Sequence, residues 1–204
     1  MKGEMKTNET IRNILERQSC RKYLPDRIDP EIIEAIVAAG TYAPSAGGSQ
    51  PWTITVLTNP EKLAHFGNLM TEDLKAHLPN FDPDAIVDNH GTRGHILCGA
   101  NFAPLLIVVS EAPRQRTPVV SSTLACENMM IAAQSFGISS CWLGAVTANL
   151  IQPELEKPDG DPIVKALVPD GNRLIGAIAF GYPAPGGFRT PRIDRREGAV
   201  RYID

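Results

Sequence analysis

The sequence predicts a single domain that mixes helices with strands, α/β in composition, and three observations lead there. Its 204 residues are 43% hydrophobic and 21% charged, enough apolar chain for one substantial core and too little bias for a disordered or fibrous protein. Helix-type and strand-type periodicities alternate from end to end, with neither a linker nor a repeat between them. Capping residues, prolines and glycines punctuate that alternation where elements should start and stop.

The first helix is expected from Asn8, a good N-cap, to about Arg17, with Ile11, Ile14 and Leu15 at the i, i+3, i+4 spacing of one buried face. A second begins at Asp29, carries Pro30 in its first turn where no backbone hydrogen bond is lost, and stops at Gly40. Residues 52–58, WTITVLT, are rich in β-branched side chains and read as a strand. Asn59 and Pro60 then open a helix carrying Leu63, Phe66, Leu69 and Met70. Residues 78–99 are polar, broken by glycine and proline, and read as a short helix or a lid.

Residues 105–110, LLIVVS, have the length and apolarity of a fully buried strand. A long helix runs from Thr117 and Pro118 to Phe136, with Gly137 as its terminator. It is apolar nearly all round, so it should lie centrally or at a subunit interface. Residues 140–146, a short helical stretch from about Thr147 and the strand 173–180, RLIGAIAF, follow. From Tyr182 onward, Pro183, Pro185, Gly186, Gly187 and Pro191 exclude regular structure for most of the tail, which is long enough to embrace a partner subunit.

A net charge of −3 and a pI near 5.8 argue against a protein whose main ligand is the nucleic-acid backbone, since that requires a basic face. Any anion site must therefore be local. The opening MKGEMKTNET lacks the apolar stretch of a secretory signal, and the longest apolar run, residues 102–109, is far short of the roughly 20 residues that span a bilayer. A cytoplasmic protein, bound to neither membrane nor nucleic acid, is the expectation. Cys20, Cys98, Cys126 and Cys141 form no CxxC pair and read as buried thiols. His90 and His95 with Asp88 make a poor metal site, because a spacing of five does not put both histidines on one helix face; no metal is expected.

Two constellations bear chemistry. In an extended segment alternate side chains share a side, so Arg17, Ser19 and Arg21 would project together. Two guanidinium forks and a hydroxyl form an anion clamp suited to phosphate, while Cys20 alternates away as a small core residue. In a helix only Arg17 and Arg21 would share a face, and solvated arginines at a helix end would be the reading; the residues alone leave both open. The second is APSAGGSQPW, residues 43–52. Gly47 and Gly48 let backbone amides approach a flat ligand, and Ser45, Ser49 and Gln50 supply a few polar groups to orient a heterocycle. A plain turn-rich connection accounts for the same residues.

RQSCRKY followed by APSAGGSQPW resembles the nitroreductase family, in which an Arg-x-Ser-x-Arg/Lys segment precedes a Pro-Ser-x-x-Asn-x-Gln-Pro-Trp loop. PLLIVV, FGISSCWLGAV and IGAIAFGYPAP with the basic tail extend the likeness over nearly the whole chain. The resemblance implies an α+β fold: a three-layer α-β-α sandwich around a central, mostly antiparallel sheet. It implies one domain over residues 1–204, with 182–204 an extended C-terminal tail, and an obligate homodimer with two composite flavin sites.

The same resemblance implies residue roles. Arg17 and Ser19 would bind the phosphate of tightly bound FMN, and Gln18 would contribute near the ribityl or pyrimidine side. Arg21 would lie near N1 and O2 of the isoalloxazine, where a cation stabilises the anionic reduced flavin. Pro44, Ser45, Ala46 and Gln50 would come from the partner subunit. Gly48, in the same loop, stands where the family has Asn, so a side-chain hydrogen bond is lost or replaced by backbone or water. Amides of Leu143, Gly144 and Ala145 would face the flavin near N5. Arg192, or with less support Arg189, would complete the phosphate site, since the tail FRTPRIDRRE aligns ambiguously.

The implied activity is ping-pong electron transfer, with NAD(P)H as a transient hydride donor to FMN N5 and a nitroaromatic or quinone as acceptor. No catalytic acid or nucleophile is assigned. A GxGxxG fingerprint after a strand is missing, which fits a reductant that binds transiently over the flavin. Two alternatives stay open: a related flavin enzyme acting on an enoyl or halogenated substrate, and an FMN-binding or redox-sensing protein without turnover.

Overall fold

The first three helices each start on a side-chain cap that the sequence provides. The structure, a computed structural model, describes residues 5–77, 103–113, 118–188 and 191–203. Asn8 Oδ1 accepts the Ile11 amide at 2.9 Å and starts α1 (Glu9–Glu16). The Asp29 carboxylate accepts the Glu31 amide at 2.9 Å at the head of α2 (Pro30–Thr41). Asn59 Oδ1 accepts the Lys62 amide at 3.0 Å at the head of α3 (Pro60–His77). Each bond satisfies an amide that the first turn leaves without an intrahelical acceptor.

Four strands, β1 (Trp52–Leu57), β2 (Leu105–Glu111), β3 (Ser139–Trp142) and β4 (Arg173–Gly181), form one sheet in the order β1-β2-β4-β3. Every neighbouring pair is antiparallel. Strand β2 is buried along its whole length, as its apolar run Leu105–Val109 requires, and Glu111 at its end is paired with Arg173. Leu105, Ile107 and Val109 join a core with Ile36 of α2 and with Cys126, Met129, Met130 and Ala133 of the long helix α4 (Pro118–Ser135). Leu106 and Val108 belong to a second core with Phe66 and Met70 of α3. That second core also takes residues from α5 (Gly144–Val146), the wide π turn Thr147–Ile151 and α7 (Pro162–Ala166), which flanks α6 (Gln152–Glu156). Helices thus cover both sheet faces, giving the expected α+β, three-layer sandwich. Among the described residues, no helix is long and apolar enough to cross a membrane.

Two local expectations are corrected. Helix α2 continues past Gly40, because that glycine serves packing and not termination: a Cβ there would lie 2.7 Å from Met129 Cγ on α4. Its bare backbone lets the two helices approach closely. The apolar face of α1 is not buried: Ile14 is 46% and Leu15 44% exposed. The sheet face on that side is already covered by α2 and α4, so α1 packs against α4 outside the layer and keeps half its apolar stripe open.

The α3 and α7 layer is clasped by a side-chain hydrogen bond. His65 Nε2 lies 2.7 Å from Asp161 Oδ2, and Asp161 Oδ1 also accepts the Ile163 and Val164 amides at 2.9 and 3.1 Å. Burial pushes the Asp161 carboxyl up, but the His65 hydrogen bond and the two amides outweigh it, so the group titrates below its ordinary value. A lowered native pKa gives stabilisation that is present above the ordinary carboxylate range and lost as pH falls through the lowered value. Asp161→Ala should therefore cost about 1–2 kcal/mol at neutral pH. In urea melts the gap from wild type should shrink on acidification; a gap constant with pH would contradict the assignment.

Candidate functional site

Helix α1 ends at Glu16, and the chain turns extended at Arg17 (φ −51°, ψ 126°). Residues 17–21 then run between two neighbours. On one side Ser19 pairs in parallel with Ser140 of β3, and the Cys20 amide donates to the Ser140 carbonyl at 3.0 Å. On the other, the Arg21 amide donates to the Gly187 carbonyl at 2.8 Å, and the Ala184 amide to the Lys22 carbonyl at 3.0 Å. The segment is an added edge of the sheet, so the extended reading holds and the helical one does not. The tail from Tyr182 is irregular as expected, and its first residues brace the chain's own clamp.

Alternation along this edge sorts the side chains. Cys20 is fully buried, its thiol donating to the Lys22 carbonyl at 3.1 Å, and burial pushes it above its ordinary range. The Tyr23 hydroxyl donates to the Cys20 carbonyl at 2.8 Å; burial pushes the phenol well up, so it stays a protonated tether. Arg17, Gln18, Ser19 and Arg21 are each partly buried. Beside them the Cys141 thiol is pushed up by burial, while the Arg21 and Arg17 guanidiniums and the Ser19 hydroxyl act in the opposite direction. The three clamp side chains therefore converge at β3.

Their charges are poorly met. Arg17 Nε stands 3.8 Å from Glu127 Oε1 on α4, a half-exposed contact that contributes little. Among the described residues no carboxylate pairs with Arg21, and its buried Nε has no acceptor. Arg192 Nη2 donates to the Arg17 carbonyl at 2.9 Å, which brings the tail arginine to the clamp; Arg189 lies outside the described residues. Among the described residues, the partly buried Arg17 and Arg21 and the exposed Arg192 share one distant carboxylate, an arrangement that an anion would complete, because a partly buried cation without a counter-charge is costly.

The loop 44–50 holds a short turn, Ala46–Gly48, closed by Ser45 Oγ, which accepts the Gln50 amide at 3.0 Å. The Ala46 amide reaches Ser121 Oγ on α4 at 3.4 Å. Gly48 has φ +68°, a left-handed conformation that Gly takes freely and Asn tolerates better than most. The exchange of the family's Asn for Gly48 thus suits the backbone and removes one amide side chain. Pro44, Ala46, Gly48 and Gln50 are exposed. Ser121 precedes Glu127, the Arg17 contact, by six residues on α4, about 9 Å along the helix axis. Within one chain, then, the loop is anchored at the N-terminal end of α4, away from residues 17–21.

Strand β3 leads from Ser140, beside the clamp, into residues 143–145. Here one expectation fails: the Leu143 amide donates to the Ala177 carbonyl at 2.8 Å, so it is used within the sheet and does not face a ligand. Gly144 and Ala145 open α5, where amides have no intrahelical acceptor, and both are at least partly exposed. Thr147 Oγ1 donates to the Leu143 carbonyl at 2.9 Å and accepts the Ala177 amide at 3.2 Å, which locks this turn to β4. His90, His95, Asp88, Cys98 and the stretch 78–99 lie outside the described residues. Glu127, Ser121 and Tyr23 were not singled out from sequence; their roles depend on tertiary neighbours that no local pattern reveals.

A family model described as the Nitroreductase family matches residues 14–182. The chain belongs to the nitroreductase family. The match takes in the clamp, the loop and the 143–145 turn, and ends before Arg192. Among solved structures, this family member is similar to a nitroreductase with bound FMN from Bacteroides fragilis NCTC 9343, with 27% identity and a TM-score of 0.75 over 97% of this chain and 100% of that one. The FMN reductase (NADPH) of Bacillus subtilis (strain 168) is 23% identical over 194 residues, 93% of this chain and 72% of that protein. The iodotyrosine deiodinase of Haliscomenobacter hydrossis is 25% identical over 197 residues, 90% of this chain and 83% of that protein.

Proposed function

We propose that this nitroreductase-family chain is an FMN-dependent NAD(P)H oxidoreductase, a homodimer that reduces a small acceptor such as a nitroaromatic or quinone in a ping-pong cycle. Bound FMN would supply the redox chemistry, taking a hydride at N5 from NAD(P)H and passing electrons to the acceptor in the same pocket. The observation that carries the reading is Arg21: a partly buried guanidinium without a carboxylate partner among the described residues, set beside Arg17, Ser19 and Arg192.

In this reading Arg17, Ser19 and Arg192 hold the phosphate by charge-assisted hydrogen bonds, and Gln18 lies along the ribityl or pyrimidine side. Arg21 places positive charge at the N1 and O2 edge, where reduction leaves negative charge. The Gly144 and Ala145 amides offer donors near N5. Pro44, Ser45, Ala46, Gly48 and Gln50 reach the flavin from the partner subunit, which accounts for a loop that is exposed and anchored away from its own chain's clamp. The half-open stripe of Ile14 and Leu15, with exposed Val119, Val120 and Leu124 on α4, supplies apolar surface for that dimer. We read residues 1–204 as one domain with 182–204 as its tail.

A second reading changes only the acceptor: the deiodinase relative supports a halogenated substrate over the same flavin. Anaerobic stopped-flow mixing of the FMN-loaded protein with NADH or NADPH tests the shared step. Prompt loss of the oxidised-flavin absorbance, restored by a quinone, a nitroaromatic or a halogenated aromatic, is expected. A flavin that binds and stays oxidised would sink the enzyme reading in favour of a protein that stores FMN or senses redox state.

A further inference from the structure

We infer that Trp142 is a positioning residue of the flavin site, its indole forming the wall on which the isoalloxazine packs; this rests on the FMN reading above. The indole is set between two bare stretches of backbone. A Cβ at position 176 would overlap the ring at Cη2 and Cζ2, and a Cβ at position 144 would lie 3.2 Å from Nε1 and 3.4 Å from Cδ1. Gly176 and Gly144 are therefore the two places where the absence of a side chain lets the ring lie against β4 and the start of α5. Even so, Trp142 keeps 37% of its surface open. A large aromatic seated on bare backbone with one side free is a ready surface for another flat ring.

Its place along the strand fits a ligand tethered at the clamp. Ser140, the residue that Ser19 pairs with, stands opposite Phe180, and Trp142 stands opposite Ile178; Phe180 and Ile178 share one core. Side chains alternate with period two, so Ser140 and Trp142 point to the same sheet face, about 7 Å apart along β3. A phosphate held at Arg17 and Ser19, followed by a five-carbon chain, brings a ring to this position. The indole edge is then beside Gly144, whose amide is a candidate donor to the ring's rim. Trp142 offers the apolar surface and Gly144 the polar contact.

Ring contact and phosphate contact give different signatures. FMN and riboflavin are titrated separately into the wild-type dimer, Trp142→Phe and Trp142→Ala. Trp142→Ala should weaken FMN and riboflavin by the same factor, roughly 3- to 10-fold, and Trp142→Phe should restore most of the loss. A folded Trp142→Ala protein with unchanged affinity for both, or with a loss confined to FMN, overturns the inference. If the alanine variant does not fold, the emission lost between wild type and Trp142→Phe isolates the signal of Trp142. That signal should vanish in step with FMN binding, and persistence at saturation overturns the inference. A wild-type protein that binds no FMN overturns the flavin reading itself, a result distinct from either.

Discussion

Arg17→Ala should weaken FMN binding by about 1.5–3 kcal/mol, roughly 10- to 150-fold, while riboflavin binding stays within a few-fold of wild type. The difference between the two ligands is the phosphate, which the proposed site sets against Arg17. The residue has a contact at both ends. Its carbonyl takes the Arg192 guanidinium at 2.9 Å, and among the described residues the one carboxylate that its own guanidinium meets is Glu127, at 3.8 Å. Fluorescence titrations with the two flavins check the prediction directly. Equal losses for both would place Arg17 against the ring or in the fold, not at the phosphate.

Arg21→Ala should act on rate more than on affinity. The guanidinium is partly buried, its Nε lacks an acceptor, and no carboxylate among the described residues neutralises it. A preorganised charge of this kind stabilises negative charge that develops during reduction, and its removal should slow flavin reduction by NAD(P)H about 100-fold. Arg21→Lys, which keeps the charge and loses the fork, should recover part of that rate. Single-turnover stopped-flow experiments read the rate constant apart from flavin binding. An unchanged rate in a flavin-loaded Arg21→Ala protein would remove this residue from the ring's edge.

The core was readable because each of its elements carries its own period. Residues Leu105–Val109 of β2 form an apolar run, and both faces of the strand are covered. Caps at Asn8, Asp29 and Asn59 fixed three helix starts because a cap is a contact between residues two or three apart. What failed depends on contacts distant in sequence. Gly40 looks like a stop signal until Met129 is known to lie against it. Ile14 and Leu15 form a proper amphipathic stripe, but nothing local says that α2 and α4 have already covered the sheet. The clamp's alternation was legible because it follows from an extended backbone. The use of the Leu143 amide is not legible locally, because its acceptor, Ala177, lies in a different strand. Trp142 gave no signal of its own until Gly144 and Gly176 were seen to frame it.

The proposed flavin site is completed by two subunits: the clamp at residues 17–21 from one protomer and the loop at 44–50 from its partner. Sedimentation velocity of the FMN-loaded protein, followed in the visible absorbance of the flavin, tests it in one measurement. All bound flavin should sediment with the dimer, and dilution to monomer should release it. Flavin that sediments stably with a monomer would contradict the composite site.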